Sequence, residues 1–148
     1  MYNLINGKGL VKEYDEDTTL KFEGKFLNGK RNGEGKEYCY KIIEFEGEYS
    51  NGMRNGFGKE YDFSGKLNFK GEYLYNHKLK GKLYIKEKLE YEGEFLFDKI
   101  WNGKGYDENG NIIYELNNGN GKVKEYYINN KFVFEGEYLN GKRNGYGK

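Results

Sequence analysis

The stretch Phe22–Tyr38 reads FEGKFLNGKRNGEGKEY, and it decides the fold. At its start, aromatic residues and Gly24 alternate with charged residues, which is the period of two that is typical of a β-strand. Asn28-Gly29 follows and is a strong hairpin signal, because both residues tolerate positive φ. A second strand is predicted over residues 33–38. The stretch therefore predicts one antiparallel β-hairpin.

Related stretches recur along the whole chain, starting near residues 2, 22, 45, 69, 91, 114 and 134. From residue 22 onward the starts lie 20 to 24 residues apart, which is too short for a strand–helix repeat. The copies at Tyr2 and Tyr114 are shortened, and the last unit is truncated. Turn residues connect the copies at Asp15-Glu16-Asp17, Ser64-Gly65, Asn109-Gly110 and Asn129-Asn130. We expect one array over residues 1–148: an all-β, single-layer, twisted antiparallel meander of about six hairpin units, elongated and solenoid-like.

Composition supports this fold class and excludes several others. The 148 residues include 23 Gly, 16 Tyr and 10 Phe but no Pro or Ala, which disfavours a helical protein. An aromatic content of 18% argues against disorder. No apolar run approaches the roughly 20 residues that span a bilayer. The net charge of +1 provides no overall field that would favour nucleic acid.

Five glycines occupy equivalent strand positions, each two residues after one aromatic residue and two before another. Glycine weakens a strand interior, so its recurrence there needs a structural reason. We expect a ring from a neighbouring strand to lie over each bare glycine backbone, which lets aromatic residues form the core. These predicted structural glycines are Gly24, Gly47, Gly71, Gly93 and Gly136.

The repeated pattern, as in FEGEYLNGKRNGYGK from Phe134, resembles the MORN repeat (membrane occupation and recognition nexus). The units at Phe22, Phe45 and Phe134 match it closely, whereas those at Phe69 and Tyr91 carry one extra residue around the turn. The resemblance implies a fold of stacked hairpins. It also implies a non-enzymatic module for interaction or scaffolding, within arrays that occur beside both membranes and the cytoskeleton.

No catalytic, cofactor-binding or metal-binding residues are predicted. Carboxylate pairs such as Glu46 and Glu48 recur in unit after unit, as a solvated strand face would. The G-x-G strings lack a following helix, so they do not predict a phosphate site. A single Cys39 and a single His77 cannot form the usual zinc site or an internal disulfide. We expect an intracellular, reducing, cytoplasmic location.

Cations cluster near the first turn of each unit and would line one edge of a meander. They could contact an anionic membrane surface, at about 1 kcal/mol per well-placed cation. The alternative is cross-strand pairing with the neighbouring glutamates, which keeps the ribbon soluble. The candidate contacts with an anionic surface are Lys30, Arg31, Arg54, Lys78, Lys142 and Arg143.

The Tyr91 unit departs from its siblings, because Ile100 and Trp101 stand near its turn where other units carry cations. They are a candidate contact with a protein partner. The alternative is that Trp101 folds back and covers the edge of its own sheet. We expect a protein-interaction or scaffold module, either alone or within a larger assembly, and an open C-terminal edge that pairs with a second copy or a partner strand. The alternative function is a peripheral membrane adaptor.

Overall fold

A computed structural model describes residues 2–5, 7–126 and 132–147, and within these ranges the chain forms only strands and turns. This confirms the predicted all-β class. The strands are β1 (Tyr2–Ile5), β2 (Lys8–Tyr14), β3 (Leu20–Leu27), β4 (Lys30–Cys39), β5 (Ile42–Ser50), β6 (Met53–Tyr61), β7 (Leu67–Leu74), β8 (His77–Ile85), β9 (Lys88–Leu96), β10 (Lys99–Tyr106), β11 (Ile112–Leu116), β12 (Gly121–Tyr126), β13 (Phe132–Leu139) and β14 (Lys142–Gly147).

The strands divide between two compact units, Met1–His77 and Lys78–Lys148. In the first unit, β1 to β7 follow one another in chain order, and each is antiparallel to the next. In the second unit, from Lys78 onward, β8 to β11 follow the same rule, as do β12 to β14. The predicted antiparallel meander is therefore confirmed within each unit. The single array over 1–148 stays a prediction.

Two-residue turns connect most successive strands. Asn28 and Gly29 both have positive φ, at 53° and 76°, which is the turn that matches the twist of a hairpin. Several turns reach the same conformation without glycine, namely Tyr40-Lys41, Tyr75-Asn76, Lys86-Glu87 and Phe97-Asp98. The sequence analysis therefore identified the glycine-containing turns more readily than these.

Three longer connections share one geometry built on an aspartate. The Asp62 side chain accepts hydrogen bonds from the backbone N–H groups of Ser64 and Lys66, at 2.9 and 3.0 Å. Asp15 and Asp107 do the same with the residues two and four positions further on. Such side-chain bonds favour a compact turn. The predicted Asn129-Asn130 connection lies outside the described residues.

A row of glycines crosses the sheet of the first unit. Cα partners place Gly24 opposite Gly35, Gly35 opposite Gly47, Gly47 opposite Gly58, and Gly58 opposite Gly71. A Cβ atom on Gly35 would lie 2.6 Å from the Phe22 ring. On Gly58 it would lie 2.6 Å from Cζ of Phe45. The rings therefore occupy the space that the missing side chains leave.

The aromatic rings of the first unit form its core on one side of the sheet, the core face. Phe22, Phe45 and Phe69 are fully buried. Tyr49 packs edge-on between Phe22 and Phe45, with ring centroids 5.3 and 5.7 Å apart. Tyr73 packs in the same way between Phe45 and Phe69, at 5.2 and 5.5 Å. Edge-to-face geometry adds about 0.5–1.5 kcal/mol per pair beyond area burial.

Candidate functional site

Arginines cover the aromatic rings of the core face in the first unit. The guanidinium carbon of Arg31 lies 4.1 Å from the centroid of the Phe22 ring, and that of Arg54 lies 4.1 Å from the centroid of Phe45. Stacking of this kind combines a cation–π attraction with burial of the side-chain stem. The core face is therefore closed by the chain's own side chains.

Carboxylates hold these arginines in place. Glu37 accepts hydrogen bonds from Nε and Nη2 of Arg54, at 3.1 and 2.9 Å, and lies 3.7 Å from Arg31. It also accepts a short hydrogen bond from the Tyr49 hydroxyl. Glu13 binds Arg31 in the same two-pronged way, at 3.2 and 2.8 Å. Each guanidinium is thus bridged by carboxylates on the core face.

The surroundings of Glu37 change its acidity. Burial alone would raise the pKa of its carboxyl group, but hydrogen bonds from Arg54 and Tyr49 and the charges of both arginines outweigh it, so the pKa is lowered. Burial and the Glu37 carboxylate together raise the pKa of the Tyr49 hydroxyl. The network therefore holds a charged glutamate and a neutral tyrosine at neutral pH.

The structure also locates the cations that were predicted to contact an anionic surface. The expectation that they lie in turns is wrong for Arg31 and Arg54, because the preceding turns end at Gly29 and Gly52 and both arginines belong to strands. Lys30 and Lys142 are exposed first residues of β4 and β14, Lys78 is half-buried in β8, and Arg143 is exposed in β14. Binding of an anionic surface by these residues stays a prediction.

The opposite side of the first unit, the charged face, carries a groove of about 700 Å³. Its floor is the backbone of Gly24, Gly35 and Gly47, seen from the side that their partner rings do not cover. Its walls are charged side chains with two exposed apolar residues, Leu10 and Phe57, whose exposed fractions are 64% and 51%. The groove is a concave, open site on the face opposite the core.

Each wall of the groove belongs to a row of residues on successive strands. The lysine wall alternates in sign over cross-strand partners, namely Lys12, Glu23, Lys36, Glu46 and Lys59, and Lys70 continues this row on β7 beside the groove. The second row lies two residues away on each strand and forms the glutamate wall: Leu10, Lys25, Glu34, Glu48 and Phe57, with Glu72 continuing the row on β7. Since one wall has an excess of lysine and the other of glutamate, the two walls carry opposite charge.

Tyrosine hydroxyls bind the carboxylates of the lysine wall. Tyr38 donates to Glu23 at 2.7 Å, and Tyr61 donates to Glu46 at 2.5 Å. Burial and the neighbouring glutamate raise the pKa of each tyrosine to about 12. Among the residues that the structure describes, the lysines of this wall have no ion pair within 4.0 Å. Their ammonium groups are therefore available to a ligand.

Comparison with known families agrees with the repeat pattern. The model of the MORN repeat matches residues 22–41, 45–66 and 134–148. These three stretches are similar to the MORN repeat. Repeats of this family are modules for interaction with proteins or membranes. No curated protein matches the chain.

In several repeat units one asparagine stands at the position that follows the arginine in Lys-Arg-Asn-Gly, and it has a role that the sequence analysis did not predict. The side-chain oxygen of Asn102 accepts a hydrogen bond from the backbone N–H of Asn118 at 2.6 Å, in the turn of the next hairpin. Asn120 binds the N–H of Asn140 at 3.0 Å, and Asn55 binds that of Tyr75 at 3.4 Å. These asparagines dock the turn of one hairpin on that of the next. The recurrence of Asn-Gly pairs from one repeat to the next is the signal that could have indicated it.

Ile100 and Trp101, the predicted partner contact, are half-buried in β10 of the second unit. The Trp101 ring lies beside Gly119, where a Cβ atom would meet the ring at 2.6 Å, and the Trp101 carbonyl accepts the Gly119 N–H at 2.8 Å. The ring therefore packs on a neighbouring turn. Contact with a protein partner stays a prediction.

This packing predicts the effect of restoring the cations of the Phe22 unit with the double variant Ile100→Lys, Trp101→Arg. We expect the free energy of unfolding to fall by about 1–2 kcal/mol, because the half-buried ring loses its contact with Gly119. Urea denaturation measures it, with Ile112→Lys, at a 51% exposed position of β11, as the matched control. An unchanged midpoint would show that the ring contributes nothing to the fold, and would leave it available to a partner.

Neither a metal site nor a membrane-spanning helix is found among the described residues. In residues 2–5, 7–126 and 132–147, no group of three or more His, Cys, Asp or Glu is placed to hold a metal ion. Over the same ranges, no helix has the length and apolar character needed to span a bilayer. Cys39 is half-buried at the end of β4, with a free thiol. The groove of the first unit has the geometry of a binding site.

Proposed function

We propose that the chain is a non-enzymatic protein-interaction module and that the groove of the first unit binds a segment of the partner. The observation that carries the proposal is the groove itself, which has a bare glycine floor, charged walls and exposed Phe57. The core face offers no such site, because Arg31 and Arg54 cover its rings. A scaffold role in a larger assembly, self-association through the last strand and a cytoplasmic location stay predictions.

A peripheral membrane adaptor is the alternative function, and it depends on the cations of the turn edge. Arg31 and Arg54 already bind carboxylates, so the contribution of this edge would fall to the exposed cations such as Lys30 and Lys142. Flotation with vesicles that contain phosphatidylserine, beside neutral vesicles, tests this alternative. Flotation that Lys30→Glu and Lys142→Glu abolish would support the membrane function over the groove.

The groove is tested by a matched pair of photo-crosslinking probes, one at Phe57 in the groove and one at Phe63 in the connection after β6. Phe63 is 79% exposed and lies outside the groove. We expect a partner to crosslink at Phe57 alone. The captured protein is then identified, purified and titrated by calorimetry against the Phe57→Ser and Phe63→Ser variants.

The titration should distinguish the two variants by their affinity for the partner. Phe57→Ser should weaken the complex by about 2 kcal/mol, the usual scale for a buried aromatic contact, while Phe63→Ser leaves it unchanged. Melting curves of both variants confirm that the fold is intact. A partner whose affinity is the same for both variants binds elsewhere, and the groove would lose its role.

A further inference from the structure

Two like-charged cross-strand pairs lie on the charged face, where Glu34, Glu48 and Lys59 line the groove and Lys70 lies beside it. Glu34 lies opposite Glu48, and Lys59 lies opposite Lys70. Like charges directly opposite each other destabilise a sheet. Neither lysine has an ion pair within the described part of the chain, and Glu48 accepts only the Phe57 N–H, at 2.6 Å. The free protein therefore holds one acidic and one basic cross-strand pair on the charged face, although Lys59 also lies opposite Glu46 on its other side.

The spacing of the two pairs matches an extended peptide. The glutamate pair spans β4 and β5 and the lysine pair spans β6 and β7, so their centres lie two strand spacings apart, or about 9.6 Å along the groove. An extended chain rises roughly 3.3 Å per residue, so three residues cover about the same distance. Residues three apart in an extended chain point to opposite sides, as the two walls require.

Phe57 adds an apolar position to this pattern. It belongs to the glutamate wall on β6, between the glutamate pair and the end of that wall at Glu72. In an extended peptide the residue two positions after a basic residue points to the same side, about 6.6 Å further along. It would therefore meet Phe57 when the basic residue meets the glutamate pair.

We propose that the groove binds an extended partner segment with a basic residue at position i, an apolar residue at i+2 and an acidic residue at i+3. The basic side chain pairs with Glu34 and Glu48, the apolar one contacts Phe57, and the acidic one pairs with Lys59 and Lys70. Binding thereby relieves both repulsive pairs. The proposal rests on the proposed function and names the chemistry of the segment that the groove accepts.

The test uses two capped, fluorescently labelled peptides of equal composition. One reads Thr-Thr-Lys-Thr-Val-Glu-Thr-Thr, with lysine and glutamate three apart. The other reads Thr-Thr-Lys-Val-Glu-Thr-Thr-Thr, which points both charges to the same side. Fluorescence anisotropy with the full chain should give at least tenfold tighter binding of the first peptide. Equal affinities would overturn the proposal.

Charge reversal in the protein provides an independent readout. Lys70→Glu replaces the basic pair with opposite charges, so we expect the melting midpoint to rise by roughly 2 °C while binding of the first peptide weakens at least tenfold. The matched control Lys41→Glu, in an exposed turn, should change neither. A fourfold variant exchanges the charges of both pairs: Glu34→Lys, Glu48→Lys, Lys59→Glu and Lys70→Glu. It should instead prefer the peptide in which lysine and glutamate are exchanged. Failure of that exchange in a folded variant would contradict the proposed pairing.

The outcomes separate this proposal from the function on which it rests. A partner that depends on Phe57 but whose bound segment lacks the pattern would overturn the proposed motif and leave the interaction function standing. If no partner depends on Phe57 for binding, both the proposed motif and the proposed interaction function of the groove are overturned. Phosphatidylserine vesicles that bind through Lys59 and Lys70, with neither peptide bound, would overturn the motif in favour of a lipid surface.

Discussion

Gly47→Val is expected to lower the free energy of unfolding by about 3 kcal/mol or more, although valine has the higher strand propensity. A Cβ atom at Gly47 would lie 2.6 Å from the Gly58 Cα atom and 2.6 Å from the Phe57 carbonyl oxygen. It would also lie 2.8 Å from the Phe45 ring. Two of these three atoms are backbone, so β5 and β6 would have to separate. Thermal and urea denaturation of both proteins measure the loss.

Glu44→Val is the matched control for this prediction. Glu44 lies on the same strand, β5, but is exposed on the charged face, so valine there adds strand propensity without a clash. We expect the control to unfold within about 0.5 kcal/mol of wild type. A midpoint for Gly47→Val equal to that of the control would refute the account in which rings and backbone require the glycine.

The sequence analysis named Gly24, Gly47 and Gly71 of the glycine row, but not Gly35 and Gly58, because the pattern around the first three is local in each repeat. An aromatic residue, a glycine and a second aromatic residue recur at fixed spacing, and alternation along a strand puts all three on one face. Register then brings Gly24 opposite Gly35 and onward to Gly71, although the connection between β6 and β7 is longer than the two-residue turns before it. Because the unit repeats, the spacing within one unit predicts which residues pair between neighbouring strands.

The role of the arginines could not be predicted in the same way. Arg31 follows Asn28-Gly29 closely, so the pattern suggested an exposed turn residue. The turn has only two residues, however, and Arg31 is already the second residue of β4, opposite Phe26. Its stacking on Phe22 and its bond to Glu13 depend on side chains of three strands. No window of sequence contains that arrangement.

The glycine-free turns show a second limit. Tyr75-Asn76 and Phe97-Asp98 each begin with an aromatic residue, which seldom adopts positive φ. Neighbouring turns hold the first of these in place: Asn76 donates its N–H to the Arg54 carbonyl at 3.0 Å and accepts the Arg54 N–H at 2.8 Å. The conformation is imposed by the adjacent hairpin, so local propensity did not indicate it. The walls of the groove could not be predicted from the sequence for the same reason, because their charged residues become neighbours only through the register of the strands.

Glu37→Gln is expected to lower the free energy of unfolding by about 2 kcal/mol at pH 7. Glu37 is the carboxylate that Arg31 and Arg54 share, and its side chain is 21% exposed. Glutamine keeps the shape of the side chain but removes the negative charge that the partly buried guanidinium groups of Arg31 and Arg54 share. Losing one partner of a buried ion pair is strongly destabilising. Glu44→Gln, at an exposed position of β5, should change the free energy of unfolding by less than about 0.5 kcal/mol.

The pH dependence of this difference tests whether the Glu37 charge is responsible. Because the folded state lowers the pKa of Glu37 below its ordinary value of 4.5, the stabilisation is fully present above that pH. It is lost as the pH falls through the lower folded-state value, where the carboxyl group gains a proton even in the native network. Wild type and Glu37→Gln should therefore differ most near neutral pH and converge in acid. Urea denaturation from pH 7 to pH 2 measures both curves, and a difference that stays constant over this range would assign the loss to packing instead of to the charge that joins Arg31 and Arg54.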